Sequence, residues 1–476
     1  MYDFGMTING KTVKSRESFQ VINPATGSPF ADAPDCSADE LQQAMSAAEA
    51  ALPAWQADED FRRQTLRDAA DLIASCGAQL APVLTAEQGK PLAQAAGEFR
   101  ASSVWLRYYA DLEIPSEVIQ DDAHGYARIY RKPLGVVGAI TPWNYPISLA
   151  FWKIAPALRA GNTVVVKPSP YTPLSTLAFG ELLQQVLPPG VLNVVSGRDP
   201  LGASITEHPT PRKISFTGST ATGKKVMAAA AADLKRVTLE LGGNDPAILL
   251  DDIDPEGIAD QLFWKAFANS GQICVAVKRV YVHETTYGDV VDALASRAKG
   301  VKVGDGTEEG VQLGPINNLT QFERVSKLVA QALDSGGRAA AGGGPIDREG
   351  YFYSPTILYD IDDKEPIVAQ EQFGPALPIL SYRTIDEVVT RANDSMYGLS
   401  ASVWSADPDR AAAVGLRLNT GQVDINNHST GLQPHLPFAG VKWSGIGVEN
   451  GPWGLNEFTE IQMIHAAQHV SVSSGQ

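Results

Sequence analysis

The chain reads as an α/β protein with two sheet-bearing domains, on three grounds. Its 476 residues exceed what one hydrophobic core organises, so about two to three domains are expected. From Gly135 onward, short apolar runs alternate with helical stretches, which is the pattern of a parallel sheet covered on both faces. A second series of the same kind follows Cys274.

Taken in order, the opening "MTINGKTVKSRESFQVINPATGSPFADAP" is punctuated by Asn-Gly, Asn-Pro and Thr-Gly and predicts small hairpins. "ADELQQAMSAAEAALPAWQ" and "FRRQTLRDAADLIASCGAQLAPVLTAEQG" space their apolar residues as helices do, and Cys76 on the second reads as a buried small hydrophobe. "SEVIQDDAHGYARIYRKPLG" predicts two strands around His124-Gly125. Sheet strands are then expected at 136–140, 163–168, 191–195, 213–218, 237–243 and 247–252, with helices such as "ISLAFWKIAPALRAG" between them. The last segment, "EFTEIQMIHAAQHVSVSSGQ", reads as a strand leaving the body, and its unpaired edge could join subunits.

Composition excludes several classes. A net charge of −16 argues against nucleic acid, which needs a basic patch, and against an anionic membrane surface. Three cysteines, Cys36, Cys76 and Cys274, lie far apart and form no disulfide framework. The N-terminus lacks a signal-peptide core, and no uninterrupted apolar run approaches the ~18 residues of a bilayer span. A cytoplasmic protein is expected.

Several short motifs invite chemistry. "GSTATGKK", Gly218 to Lys225, nearly fits a phosphate loop, but Lys225 stands where a hydroxyl must hold magnesium, so no triphosphatase is expected. Its small residues still offer backbone N–H groups to an anion. His465 and His469 are four apart but lack a third ligand, so no metal site is expected. Asn393-Asp394-Ser395 matches a glycosylation acceptor only by chance. Asn144 of "TPWNYP" either turns its amide into a crevice at a strand's carboxyl end or caps the following helix. Glu240 of "VTLELGGND" is either a desolvated general base or a strand-end acid. Cys274 in "FANSGQICVAVKR", taken alone, reads as a buried inert cysteine; a nucleophilic role needs something, such as turn N–H groups, that favours thiolate.

Together, "TPWNYP", "VVVKPS", "ISFTGST", "LELGGNDP", "NSGQIC", "EQFGP", "NDSMYGLSASVWS" and "PFAGVKWSGIGVENG" resemble the aldehyde dehydrogenase family over almost the whole chain. The resemblance implies a Rossmann-like cofactor-binding domain from 1–115 and 136–245, a catalytic α/β domain over 246–440, and a small β oligomerisation element from 116–135 and 455–476. It implies Cys274 as nucleophile, Glu240 as the base that hydrolyses a thioester, and Asn144 with the Cys274 N–H as oxyanion hole. Cofactor contacts carried over are Thr141, Trp143, Lys167, Ser169, Pro170, Gly218, Ser219, Gly223, Leu241, Gly242, Glu371 and Phe373. The substrate channel would be lined by Tyr145, Leu149, Trp152, Ile273 and Phe438, which suits a medium-chain aliphatic or aromatic aldehyde. Val275 departs from the small polar residue that often follows the nucleophile.

Where many NAD-preferring members have K-P-S-E, this chain reads Lys167-Pro168-Ser169-Pro170. Pro170 cannot accept from ribose hydroxyls and carries no charge to repel a 2′-phosphate, so use of both NAD and NADP is expected. The alternatives are a semialdehyde substrate with a distal carboxylate, for which Lys278 or His435 are the candidate partners, and acyl transfer to coenzyme A. Glu240 argues against the latter, and Cys274 against a non-catalytic relative. A homodimer or homotetramer is expected.

Overall fold

The computed structural model describes residues 4–429 and 432–471. The first hairpin pairs Met6–Ile8 with Lys11–Val13 around Asn9 and Gly10, both at positive φ (51° and 68°), as a tight right-twisted turn requires. A second hairpin pairs Glu17–Asn23 with Ser28–Asp35. Three helices follow, Ala38–Ala57, Glu59–Gln88 and Leu92–Asp111. Ser37 and Glu40 form a reciprocal cap on the first, and Asp58 caps the second. Cys76 is half-buried rather than enclosed, because the wet face of the second helix comes round to it. That helix is long and apolar enough to cross a bilayer by length and composition alone. Its apolar face (Leu66, Ala69, Ala70, Ile73 and Leu84) is instead buried in the protein's own core.

The larger sheet runs, edge to edge, Gly445–Ile446, Arg236–Glu240, Lys213–Thr217, Val136–Ile140, Thr163–Lys167, Leu192–Val194, Met6–Ile8 and Lys11–Val13. The strands from Arg236 to Val194 in this order are parallel. The chain winds outward from Val136–Ile140 in one direction, then returns to add Lys213–Thr217 on its other flank. Such a reversal opens a crevice beyond the carboxyl ends of the two strands at the switch.

The second sheet runs Arg338–Ala341, Thr356–Tyr359, Ala376–Tyr382, Val277–His283, Asp245–Leu249, Ser400–Trp404 and Gln422–Ile425. Leu241 to Asn244 carry the chain from the first sheet into it, between Glu240 and Asp245, and after Gln422–Ile425 the chain returns to the first sheet as Gly445–Ile446. The carboxyl edge of one sheet therefore faces the amino edge of the other. The third sheet places Gly125–Pro133 between Glu117–Asp122 and Thr459–Ala466, the last pairing antiparallel from Thr459↔Pro133 to Ala466↔Tyr126.

Candidate active site

Three segments converge where the sheets meet. The first leaves the strand Val136–Ile140 as Thr141–Tyr145 and enters the helix Pro146–Arg159. Asn144 does not cap that helix. The helix N-terminus is satisfied from elsewhere, by Glu98 Oε1 accepting from the N–H groups of Ile147 (2.8 Å) and Ser148 (3.0 Å). Asn144, 4% exposed, instead donates from Nδ2 to the carbonyl of Gln272 at 3.0 Å, two residues before Cys274. An amide nitrogen carries two hydrogens, so one fixes the group and the other remains for a ligand.

The second segment is the turn before Cys274. Asn269, Ser270 and Gly271 all have left-handed φ (50°, 55° and 71°). For the two side-chain-bearing residues that conformation costs about 1–2 kcal/mol each. Hydrogen bonds offset it: Ser270 Oγ donates to Gly314 O (2.7 Å), Asn269 Nδ2 to Asn144 O (3.1 Å) and Gln272 Nε2 to Asn269 O (2.9 Å). Gly271 is required for space as well as for φ, since a Cβ there would stand 2.3 Å from the carbonyl oxygen of Gly374. Cys274 emerges partly exposed yet crowded. Burial pushes its thiol up to about 12, with Lys278 pulling down and Asp245, Glu240 and Glu371 pushing up. The resting sulfur is therefore a neutral thiol, and turn N–H groups alone do not make it a thiolate.

Glu240 ends the third segment. It is 3% exposed, and neither carboxylate oxygen has a hydrogen-bond partner. Burial first, and then the negative charge of Glu449, raise it well above the usual carboxylate range, against the pull of Lys153. Lys153 lies beneath, bonded to Glu449 Oε1 (2.5 Å) and Thr217 Oγ1 (2.7 Å). The charge of Glu240 opposes ionisation of Cys274, and a Cβ on Gly243 would stand 2.6 Å from the Cys274 carbonyl.

Around this centre lie the groups suited to a dinucleotide. Gly218 and Ser219 leave the strand at the switch point, and Ser219 caps the helix Thr220–Ala230 by accepting from Thr222 N. Added Cβ atoms on Gly218, Gly223 and Gly242 would stand 2.5, 2.4 and 2.3 Å from Phe216, Leu241 and Glu371, so the backbone can only approach this closely without side chains. Lys167 is buried, donates to Pro168 O (3.1 Å), and is lowered to about 8 mainly by burial. Ser169 Oγ accepts from Tyr171 N, with half-buried Pro170 between them. Thr141 keeps a buried hydroxyl oxygen without a partner. Trp143 meets Phe373 edge to face at 5.3 Å, and Glu371 Oε1 accepts from Gly243 N at 3.0 Å. An orphaned hydroxyl, a helix N-terminus, a cation and a carboxylate along one backbone-lined crevice fit a dinucleotide.

Leu149, Trp152 and Phe438 belong to one apolar cluster, with Tyr145, Ile273 and Cys274 packed against it. Trp152 stacks on Trp105 (5.5 Å) and meets Phe438 edge to face (5.2 Å). Lys278 is not placed to receive a substrate carboxylate: it is 1% exposed and bonded to main-chain carbonyls of its own loop, because a buried ammonium must be satisfied internally. His435 is exposed. His465 lies in the strand Thr459–Ala466, where residues four apart share no helical face, and His469 contacts Asp121 at 3.1 Å. Asn393 is engaged through both ends of its amide with Arg417 O and Asn419 N.

Sequence reasoning passed over Lys90, Glu98, Lys153, Asn269 and Glu449, all buried at this centre. Lys153 had a signal, as a single cation inside the apolar helix "ISLAFWKIAPALR". Asn269 and Glu449 lie within the quoted motifs "NSGQIC" and "PFAGVKWSGIGVENG", whereas Lys90 and Glu98 had no signal.

The sequence pattern of the aldehyde dehydrogenase family matches residues 12–464. Phenylacetaldehyde dehydrogenase of Pseudomonas fluorescens is 39% identical over 95% of this chain and 94% of its own. Succinate-semialdehyde dehydrogenase [NADP(+)] of Escherichia coli is 37% identical over 96% of each. The NAD+ complex of an aldehyde dehydrogenase from Bacillus cereus superposes with a TM-score of 0.95 at 37% identity, covering 98% of this chain and 96% of that one. A crevice at the switch point, a strained turn bearing a thiol and a match running from end to end lead to one conclusion: the chain belongs to the aldehyde dehydrogenase family, as an NAD(P)-dependent enzyme.

Proposed function

We propose that the enzyme oxidises a medium-chain aliphatic or aromatic aldehyde to its acid through a thioester on Cys274. The Cys274 thiol gives up its proton to solvent as the sulfur attacks the carbonyl carbon to form a thiohemiacetal, and the second hydrogen of the Asn144 amide and the Cys274 N–H donate to the oxyanion. Such donors contribute about 3–4 kcal/mol each. The bound dinucleotide supplies the hydride acceptor that leaves a thioester on the sulfur. Glu240 then takes the proton of the attacking water, and the thiol departs with the acid released. The observation that carries this reading is the Glu240 carboxylate, buried without a single hydrogen bond beside the thiol. No protein group engages either carboxylate oxygen, which leaves both open to a water at the thioester.

Trp105 stacked on Trp152, with Phe438 edge to face against it, supports an apolar or aromatic substrate. The burial of Lys278 counts against a distal carboxylate, and Glu240 against coenzyme A as acyl acceptor. Pro170 supports use of both NAD and NADP, with Lys167 and Ser169 as 2′-phosphate contacts. Exposed Val118, Ile119, Ile461 and Met463 on the outer strands of the third sheet support that sheet as the place where copies join into a homodimer or homotetramer. The domain limits proposed are 1–115 and 136–245, 246–440, and an oligomerisation element of 116–135 and 455–476, of which 472–476 lie outside the described residues; Gly445–Ile446 adds an edge strand to the first sheet from beyond these limits.

The test is cofactor reduction across an aldehyde panel with NAD and with NADP, on wild type and Cys274→Ala. Acid should form without coenzyme A, the variant should be inactive, and the two cofactors should differ by less than about 10³ in kcat/KM, or about 4 kcal/mol. Wild-type turnover by Cys274→Ala would remove the sulfur from the chemistry.

A further inference from the structure

Lys278 lies four residues after Cys274, at the start of the strand Val277–His283, and is almost wholly buried. Its Nζ donates to the carbonyl of Ile273, immediately before Cys274, and to that of Ala276, just beyond it, at 3.3 Å. It also stands 5.6 Å from the centroid of the Phe373 ring, and its own carbonyl accepts from Gln372 Nε2 at 2.9 Å. One residue thus ties the nucleophile turn, through its side chain, to the loop that carries Glu371, through its main-chain carbonyl.

The charges around the pair come from several elements. Asp245 and Glu371 face both Lys278 and Cys274, Glu240 faces the sulfur, and the Tyr145 phenol lies against it. Behind Lys278 stands His428, kept neutral by burial and lowered to about 4. Three carboxyl groups oppose a negative sulfur, and Lys278 is the cation that favours it; burial works against that ammonium, while Glu371, Asp245 and the sulfur itself sustain its charge.

We propose that Lys278 is a positioning residue for the nucleophile: its ammonium fixes the carbonyls that bracket Cys274 and supplies the positive charge beside which the sulfur ionises. This rests on the reading of Cys274 as nucleophile and extends it to how that sulfur is made reactive. The aldehyde never touches Lys278. Its work is done through the turn and through the local field.

The experiment is the rate of Cys274 alkylation by iodoacetamide at pH 8.5 in the full-length protein. It is followed on the Cys274 peptide, so that Cys36 and Cys76 do not contribute. Lys278→Met should slow alkylation by about ten-fold or more, one unit of thiol pKa. It should lower kcat by more than it changes KM. Asp245→Asn removes a charge that opposes the thiolate, so it should speed alkylation several-fold. A Lys278→Met rate within about two-fold of wild type would overturn the proposal. If Lys278→Met does not fold, Asp245→Asn decides: a rate equal to or below wild type overturns the field argument, because loosened packing does not predict the opposite signs. Failure of the underlying reading registers separately, as turnover retained by Cys274→Ala.

Discussion

Lys90 and Glu98 form an ion pair of 2.6 Å with neither side chain exposed, directly beneath Asn144. Lys90 Nζ also donates to the Asn144 carbonyl (2.9 Å) and lies 3.7 Å from the centroid of the Tyr145 ring. Glu98 uses its other oxygen on the N-terminus of the helix that follows. The pair therefore holds the turn at the Asn144 carbonyl and at the start of the helix just beyond it. Removing one member leaves a buried uncompensated charge, which costs about 3–5 kcal/mol. Glu98→Ala should lower the unfolding free energy by that amount in denaturant titration, and kcat should fall because the Asn144 amide loses its fixed position.

Asn144→Ala isolates the amide from its supports. It leaves the Lys90 contact, which uses the main-chain carbonyl, and deletes the amide, with both its free donor and its bond to the Gln272 carbonyl. The expected loss is about 10²–10³ in kcat with little change in KM, since the interaction forms as the oxyanion does. An unchanged kcat in steady-state assays would assign the oxyanion to other donors.

Glu240→Gln should separate two halves of the reaction. The amide cannot take a proton from water, so hydrolysis slows while attack by sulfur and hydride loss continue. Rapid mixing should then show a burst of reduced cofactor near one equivalent per site followed by a slow phase. In the wild type, the raised Glu240 acid must be ionised to act, so kcat should climb with pH through a midpoint above the usual carboxylate range, and Glu240→Gln should flatten that climb.

Much of this centre was readable because it is local. Strand periodicity located the segments ending at Ile140, Thr217 and Glu240, and the residues just past each strand end are the ones a parallel sheet exposes at its crevice. What escaped was pairing at a distance. Lys153 meets Glu449 across 296 positions and Lys90 reaches the Asn144 carbonyl across 54, and nothing in either neighbourhood marks its partner. Lys278 is a candidate for a substrate carboxylate on sequence alone, because a lysine four residues past the cysteine gives no sign that the carbonyls of Ile273 and Ala276 already hold its ammonium. The left-handed Asn269 and Ser270 were hidden because glycine, the usual sign of such backbone, appears only at Gly271.

Pro170→Glu tests the cofactor reading. The new carboxylate would accept from both ribose hydroxyls of NAD and repel the 2′-phosphate of NADP. The ratio of kcat/KM for NAD over NADP should rise by at least about ten-fold, roughly 1.4 kcal/mol, with most of the change in the NADP constants. An unmoved ratio would place the discrimination at other residues.

Glu87 links stability to pH. Its carboxylate is wholly buried and accepts from Leu174 N at 2.6 Å and from Ser175 N at 2.9 Å, with the Ser175 hydroxyl as a third donor. Burial nonetheless outweighs these bonds and raises the group to about 8, from an ordinary 4.5. The folded protein therefore holds a proton that the unfolded chain releases. Stability from this group is complete below about 4.5 and is lost as pH rises through 8, at up to about 1.4 kcal/mol per unit in between. Asp245, raised to about 7 chiefly by burial, acts in the same direction. Thermal melts between pH 5.5 and 7.5 should show Tm falling with pH, and Glu87→Gln should reduce the slope without abolishing it. A slope equal to wild type would mean that Glu87 is ionised in the fold, with its three donors winning over desolvation.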